Sequence, residues 1–292
     1  MARSRRGEHG IALLTVLWVV AALALIAAVF MQSGRTQVRL ARNLVENAKA
    51  EALADAGVQR ALYGLLAAGT DAAWRADGSS HDLKLFAGTV RITLQDEGGK
   101  IDLNRAGEDI LVSLFSSVGI PAADAREIAA AVADYRDMDS DRRPNGAEDP
   151  DYARRKLPFG AKDALFARTD ELRQAPGVTA KIFERVEPLV TVYSPRRYVD
   201  LASAPEAVLR ALPYLTNQQR QDILVDRNSG AAALQSTAAV TVTITAEALT
   251  EGGGRFVREA VVHRSADPSK LFDVLSWRRR WSVDEVAEAG GP

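Results

Sequence analysis

The chain contains no cysteine, so disulfides, thiolate metal sites and cysteine nucleophiles are excluded together. Histidine is nearly as scarce: His9, His81 and His263 are too few and too scattered to suggest a zinc catalytic centre. Neither sign of charge dominates, with 37 Lys and Arg against 38 Asp and Glu. The net charge of −1 gives no global attraction to nucleic acid or anionic lipid. The G-x-S-x-G, Walker, H-E-x-x-H and Rossmann patterns are missing, and with them the commonest sequence signs of an enzyme. What remains is a chain of 292 residues, 47% hydrophobic and 26% charged, long enough for one or two domains with substantial cores.

The apolar residues are concentrated at one end. Arg3, Arg5, Arg6, Glu8 and His9 precede Gly10-Ile11-Ala12-Leu13-Leu14, and no charge interrupts residues 11–31, where Thr15 is the main polar position. A helix of that length covers roughly 30 Å, the thickness of a hydrocarbon core. The arginines before it favour a cytoplasmic N-terminus with the rest of the chain outside. A secretory signal would end in a small-x-small cleavage site. Val29-Phe30-Met31-Gln32-Ser33-Gly34 offers no convincing one, and the small residue, Gly10, lies before the span instead. That arrangement is similar to the class III leader of type IV pilins, which a membrane peptidase cuts after the Gly to leave a mature chain starting at Ile11. An uncleaved signal anchor explains the same residues, and the leader alone does not separate the two.

Helical character continues from residue 35 to about 67. Val38, Ala41, Val45, Ala48, Ala52 and Ala56 recur at three- and four-residue steps. This stripe predicts a stalk that packs on the chain's own domain in its outer half and on neighbouring helices in its inner half. Gly34 and Gly57 weaken the helix without ending it. After a loop over 69–78, alternation predicts strands over 83–86 and 89–95. Helices are predicted over 110–118, 123–135, 161–167, 169–174 and 180–186, with a strand over 190–193. Residues 240–246 and 255–263 predict a hairpin around Gly252-Gly253-Gly254. The tail through Trp277-Arg278-Arg279-Arg280-Trp281 reads as an edge anchor or a partner contact. The chain also echoes itself: Val199-Asp200-Leu201-Ala202-Ser203-Ala204 follows the pattern of Ile101-Asp102-Leu103-Asn104-Arg105-Ala106, which suggests a shared strand-to-helix turn more than a duplication.

The strongest chemical motif is an acidic loop, Asp137-Met138-Asp139-Ser140-Asp141 followed by Asn145-Gly146-Ala147-Glu148-Asp149. Counted from Asp137, oxygen-bearing side chains fall at the first, third, fifth, ninth and twelfth places, the ligand spacing of an EF-hand. Arg142 stands where glycine is wanted, and Pro150 argues against a regular exit helix. The expectation is therefore a calcium site of nonstandard geometry, with Asp137, Asp139, Asp141, Glu148 and Asp149 as ligands. The alternative is a solvated loop paired with Arg142, Arg143, Arg154 and Arg155. Two turns, Ser117-Val118-Gly119-Ile120-Pro121 and Ala175-Pro176-Gly177-Val178-Thr179, resemble helix-hairpin-helix motifs, with Lys181 and Arg185 available to a phosphate. Residues 105–187 nevertheless hold 13 basic and 16 acidic residues, a balance unsuited to duplex binding. A membrane-anchored DNA-uptake protein remains the alternative function.

These pieces converge. Gly10-Ile11-Ala12-Leu13-Leu14, Arg42-Asn43-Leu44, Glu51-Ala52-Leu53-Ala54-Asp55-Ala56-Gly57, Asp96-Glu97, Lys100-Ile101-Asp102-Leu103-Asn104, Asp134-Tyr135-Arg136-Asp137-Met138-Asp139 and Asn145-Gly146-Ala147-Glu148-Asp149 carry a resemblance spanning nearly the whole chain. It resembles the K-type minor pseudopilins of bacterial type II secretion systems. The resemblance implies an α+β fold: a long transmembrane and stalk helix, and a pilin-like (ferredoxin-like) α/β body carrying an inserted all-α domain. The divisions it implies are a leader over 1–10, a transmembrane helix over 11–31, a stalk over 32–67, a body over 68–104 and 191–292, and an insert over 105–190.

It also implies a non-enzymatic subunit at the tip of the secretion pseudopilus, supporting pilus initiation and export of folded proteins. The subunit would be anchored once in the inner membrane with its C-terminal domain in the periplasm, and would hold calcium in the acidic loop. The implied partners are the I- and J-type minor pseudopilins, the major pseudopilin, the prepilin peptidase acting at Gly10 and Ile11, and inner-membrane lipid; nucleic acid is not among them. Most pilin-like proteins carry Glu at the place of Thr15, and the K-type resembles the exception. That carboxylate would pair with the terminal amine of the subunit above, a contact a tip subunit does not need.

Overall fold

The computed structural model describes residues 8–67, 74–85, 87–194, 196, 198–228, 241–267 and 269–280. The arginines of the leader, part of the loop after the stalk, and Trp281 lie outside the described residues. Helix α1 runs unbroken over Glu8–Leu66, 59 residues and about 88 Å, passing through both Gly34 and Gly57. It contains one stretch long and apolar enough to cross a membrane.

Its outer half lies on one face of a five-stranded antiparallel sheet formed by β1 (Asp77–Leu85), β2 (Gly88–Asp96), β5 (Thr241–Thr250), β6 (Arg255–Arg264) and β7 (Phe272–Arg280), in the order β1-β2-β5-β6-β7. The two-residue period does the sorting. Val90, Ile92 and Leu94 of β2, Val242, Ile244 and Ala246 of β5, and Ala260 and Val262 of β6 all turn inward against Ala50, Leu53, Ala54, Val58 and Ala61 of α1. The approach is close at Gly57, where an added Cβ would stand 2.7 Å from Val90 Cγ1. The buried stripe therefore differs from the expected one: Ala52 and Ala56 are exposed, as are Val38, Ala41, Val45 and Ala48. The polar anchors explain the rotation. Buried Arg258 of β6 reaches Glu51 and Asp55 at 2.7 Å each, and Glu46 accepts the Thr250 hydroxyl at 2.7 Å.

The second layer is helical: α2 (Glu108–Ser117), α3 (Ala122–Arg136), α4 (Asp149–Arg154), α5 (Ala180–Val186), α6 (Glu206–Ala211) and α7 (Asn217–Asn228). A short parallel pair, β3 (Ile101–Asp102) with β4 (Val190–Thr191), lies at its entrance and exit. Two expected helices differ. Residues 161–167 form an irregular loop, held by Asn104 bonding both polar atoms of the Phe166 backbone (2.8 and 3.0 Å). Thr169–Gln174 is a 3-10 helix. The tail forms an edge strand, β7. The helical core also continues past the expected boundary at 190: Ala204, Val208, Leu209 and Leu212 pack with Leu103, Leu111 and Leu114, so α6 and α7 belong to this layer and not to the sheet body.

The sequence echo has a structural counterpart. Asp102 and Asp200 each accept the N–H two residues on, from Asn104 at 2.7 Å and Ala202 at 3.1 Å. Arg136 at the end of α3 donates to the carbonyls of Leu103 and Ala106. Arg227 near the end of α7 donates to those of Leu201 and Ala204. The same pair of carbonyls is thus held by the same residue type from the second helix of each hairpin. Hairpins α2–α3 and α6–α7 thus open on the same turn, each closed by an arginine of its second helix.

Candidate functional site

Gly10 and Ile11 lie in the first turns of α1, and Thr15 is on its exposed surface within the apolar stretch.

The acidic loop connects α3 to α4. Asp134, on the inner side of α3, is fully buried and accepts one guanidinium N–H of Arg143 at 2.8 Å; the same nitrogen also meets Asp137. Gly146 allows the loop to close, because a Cβ there would overlap the Asp134 carboxylate. Pro150 does not prevent an exit helix. It stands in the first turn of α4, where a missing N–H costs nothing, behind the N-cap Glu148. Asp151 accepts the Glu148 N–H at 3.2 Å.

These constraints hold Glu148 at 4% exposure in an acidic setting. Burial, with Asp134, Asp163, Asp137 and Asp149 adding repulsion, pushes its carboxyl up to about 7. Glu148 Oε1, Asp137 Oδ1 and Asp163 Oδ1 are buried without a hydrogen-bond partner, and Asp163 holds the uncommon φ of 52°. Arg143 satisfies Asp134 and one oxygen of Asp137, but nothing cationic does the same for Glu148. The structure thus brings together Asp137, Glu148 and Asp149 from the expected set and adds Asp134 and Asp163. Asp139 and Asp141 stand apart on an exposed turn, where Asp139 accepts the Asp141 N–H at 3.0 Å. Asp149 is at the rim, accepting the Ala161 N–H at 3.0 Å. Among the described residues, no three or more His, Cys, Asp or Glu side chains are placed so that they could hold a metal ion as they stand. The unpartnered oxygens are nevertheless hard donors of the kind that calcium or magnesium takes, and not zinc.

A second charged cluster lies where the helical layer meets the sheet. Arg278 and Arg280 of β7 pair with Glu259 of β6 (2.6 and 2.7 Å) and with Glu187 beyond α5 (3.5 and 2.9 Å). Buried Glu97 accepts the Thr243 hydroxyl at 2.7 Å and pairs with Lys100 at 2.6 Å. These groups line a cleft of about 560 Å³. Of these, only the arginines of the tail carry an expectation from sequence, as an edge anchor or a partner contact.

Comparison with known proteins locates this assembly of parts. Residues 92–195 match the family model for type II secretion system protein K. The central part of this chain is thus similar to type II secretion protein K. Over 204 residues the chain is 28% identical to a candidate type II secretion system protein K of Escherichia coli (strain K12). The match covers 63% of this chain and 62% of that protein, somewhat under two thirds of the relative's length. Among solved structures, a chain from the GspK–GspI–GspJ complex of the enterotoxigenic Escherichia coli type 2 secretion system superposes with a TM-score of 0.55 at 20% identity. That superposition covers 85% of this chain and 99% of that one. The likeness supports the fold: a long N-terminal helix, an α+β pilin-like body and an inserted helical domain. The acidic loop, Arg136 and the hairpin α2–α3 all fall inside the protein K match.

Proposed function

We infer that this chain acts as a K-type minor pseudopilin, a non-enzymatic subunit that caps the tip of a type II secretion pseudopilus and supports its initiation and the export of folded proteins. The observation that carries this reading is Thr15. From Ile11 onward the apolar part of α1 offers no carboxylate to a neighbour's terminal amine, on a chain whose residues 92–195 match the family model for protein K. A subunit without that group has no such contact to make upward, and the bulk of the helical insert suits a position with nothing above it. The solved relative is a complex with GspI and GspJ, which supports I- and J-type partners here. The major pseudopilin and the prepilin peptidase complete the set, with the apolar stretch of α1 anchored in inner-membrane lipid and the domains in the periplasm.

The test is the mass of the N-terminal peptide from membranes containing a prepilin peptidase. A chain starting at Ile11, with a methylated amine, is the expected result. A chain starting at Met1 would make it an uncleaved anchored domain and remove the pilin-like reading. Thr15→Glu should be tolerated, with pilus length and secretion unchanged; a block in assembly would contradict a tip position.

Calcium belongs to the same reading. Glu148, Asp163 and the free oxygen of Asp137 would have to draw together to hold the ion, with Asp134 and Asp149 adjoining, while Asp139 and Asp141 could join only by moving their turn inward. When bound, the ion supplies the positive charge that Glu148 lacks. Calcium should raise the thermal midpoint of the purified chain and a chelator should reverse the rise. An unchanged midpoint in both directions would remove the metal.

A further inference from the structure

Asn145-Gly146 is the one Asn-Gly pair in the chain, and it stands in the middle of the acidic loop. Such a pair has a chemistry of its own. The backbone nitrogen that follows an asparagine can attack the side-chain amide, and a glycine in that place puts no side chain in the way. A bond forms between the nitrogen and Cγ, the Cγ–Nδ2 bond breaks, and Nδ2 leaves as ammonia. Water then opens the cyclic imide at one carbonyl to give aspartate, or at the other to give isoaspartate. Water is the only co-reactant.

The fold of the loop governs this step. Arg143-Pro144-Asn145-Gly146 is a β-turn, closed by the Gly146 N–H donating to the Arg143 carbonyl at 3.0 Å. Proline in its second place and a φ of 65° at Asn145 in its third give it the signature of type II. The nitrogen that would attack is therefore engaged across the turn. Gly146 is held on its other sides as well. Its carbonyl accepts Arg142 Nε at 3.0 Å, and it lies so close to the Asp134 carboxylate that no Cβ would fit. Arg143 anchors the turn in its place, because its backbone N–H and its guanidinium both donate to Asp134, at 3.3 and 2.8 Å. Asn145 itself is exposed to water. The acceptor carbon is thus accessible while its nucleophile is withheld.

We propose that Asn145 is a deamidation site gated by the acidic loop. Closed, the Asp134–Arg143 anchor and the turn keep the Gly146 nitrogen occupied. Opened, they release it, and the loop is committed to an irreversible change. The product carries a new carboxylate in a loop already short of cations, and its isoaspartate form lengthens the backbone by a methylene. The assignment rests on neither the pseudopilin reading nor the metal.

The test follows the full chain, purified in detergent, over weeks at mildly alkaline pH with a chelator present. Peptide mapping by mass spectrometry reads the conversion of amide to acid at residue 145 and separates aspartate from isoaspartate. A synthetic peptide of residues 140–149 sets the rate for an open loop. The native chain should deamidate at least about tenfold more slowly than the peptide, in proportion to how rarely the loop opens. Arg143→Gln frees the turn from Asp134 and should recover most of that factor. Pro144→Ala leaves the ion pair in place and loosens only the turn, so a rise of about threefold is expected. Circular dichroism of each variant confirms that it is folded, and Pro144→Ala carries the test if Arg143→Gln is not. Equal rates in the native chain and the peptide would overturn the proposal. Folded variants that react no faster than wild type would overturn it as well, because the turn would then not be the gate.

Discussion

Two groups of buried carboxylates are built from the same side chains and reach opposite electrostatic outcomes. At the junction of sheet and helices, Glu259 and Glu187 share two arginines of β7, and Glu97 has Lys100. Burial alone would raise the Glu259 carboxyl, but Arg280 and Arg278 hold it below its ordinary range. Around the loop between α3 and α4, Asp134 and Asp137 share Arg143, while Glu148 stands near both and near Asp163, and burial pushes it up to about 7. The balanced cluster fastens two layers together. The unbalanced one is a place of excess negative charge, and a structural cluster of that kind is stable only with a proton or a cation added. Burial alone therefore does not decide which way a carboxylate's pKa moves; the cations beside it do.

Removing charge from each cluster tests the contrast. The largest effect is expected at Arg143. With a chelator present, Arg143→Gln leaves Asp134 buried without its cation and should cost about 3 kcal/mol in a urea titration, with calcium restoring part of the loss. Equal losses with and without calcium would mean that no ion can substitute there. Next comes Glu259→Gln, which leaves Arg278 and Arg280 with only Glu187. Because both arginines are partly exposed, about 2 kcal/mol is expected, independent of calcium.

The smallest effect has the opposite sign. Glu148→Gln removes an unfavourable charge and should raise the thermal midpoint in chelator by about 2–4 °C while abolishing the response to calcium. A fall in the midpoint would show that the Glu148 charge is already compensated. The pH responses should also diverge. Glu259 contributes stability above pH 4.5 that is lost as the pH falls through its lowered pKa. Metal-free Glu148 binds a proton more tightly folded than unfolded, so its burden eases as the pH falls from above about 7 toward 4.5. Thermal scans of wild type and each Gln variant between pH 4 and 8 separate the two.

The parts that could be read directly were those where one period or one spacing is decisive. The alternation of Val90, Ile92 and Leu94 fits only a half-buried strand, and the uncharged run after Gly10 fits only a long apolar helix. The stalk stripe was misread because alanine lies on both sides of α1. Ala48, Ala52 and Ala56 have the same spacing as Ala50, Ala54 and Val58, and only the partners Arg258 and Thr250, some two hundred residues away, choose between them. In the acidic loop, the twelve-residue spacing found Asp137 and Glu148. It also drew in Asp139 and Asp141, which the turn holds outside. Asp134 and Asp163 were missed because they lie beyond that window, one on the preceding helix and one in a stretch that reads as helical but is pulled into a loop by Asn104. The tail read as an edge anchor or a partner contact is the edge strand β7, and its Arg278 and Arg280 are the cations of the junction.

Helix α1 offers one more consequence. The sheet grips it only from about Glu46 onward, while residues 13–33 and 36–45 are exposed along their whole length. A continuous backbone ladder with a body clamped at one end is mechanically a handle. Thrust or rotation applied along the exposed shaft arrives at the sheet with little loss, and through the arginines of β7 at the helical layer beyond it.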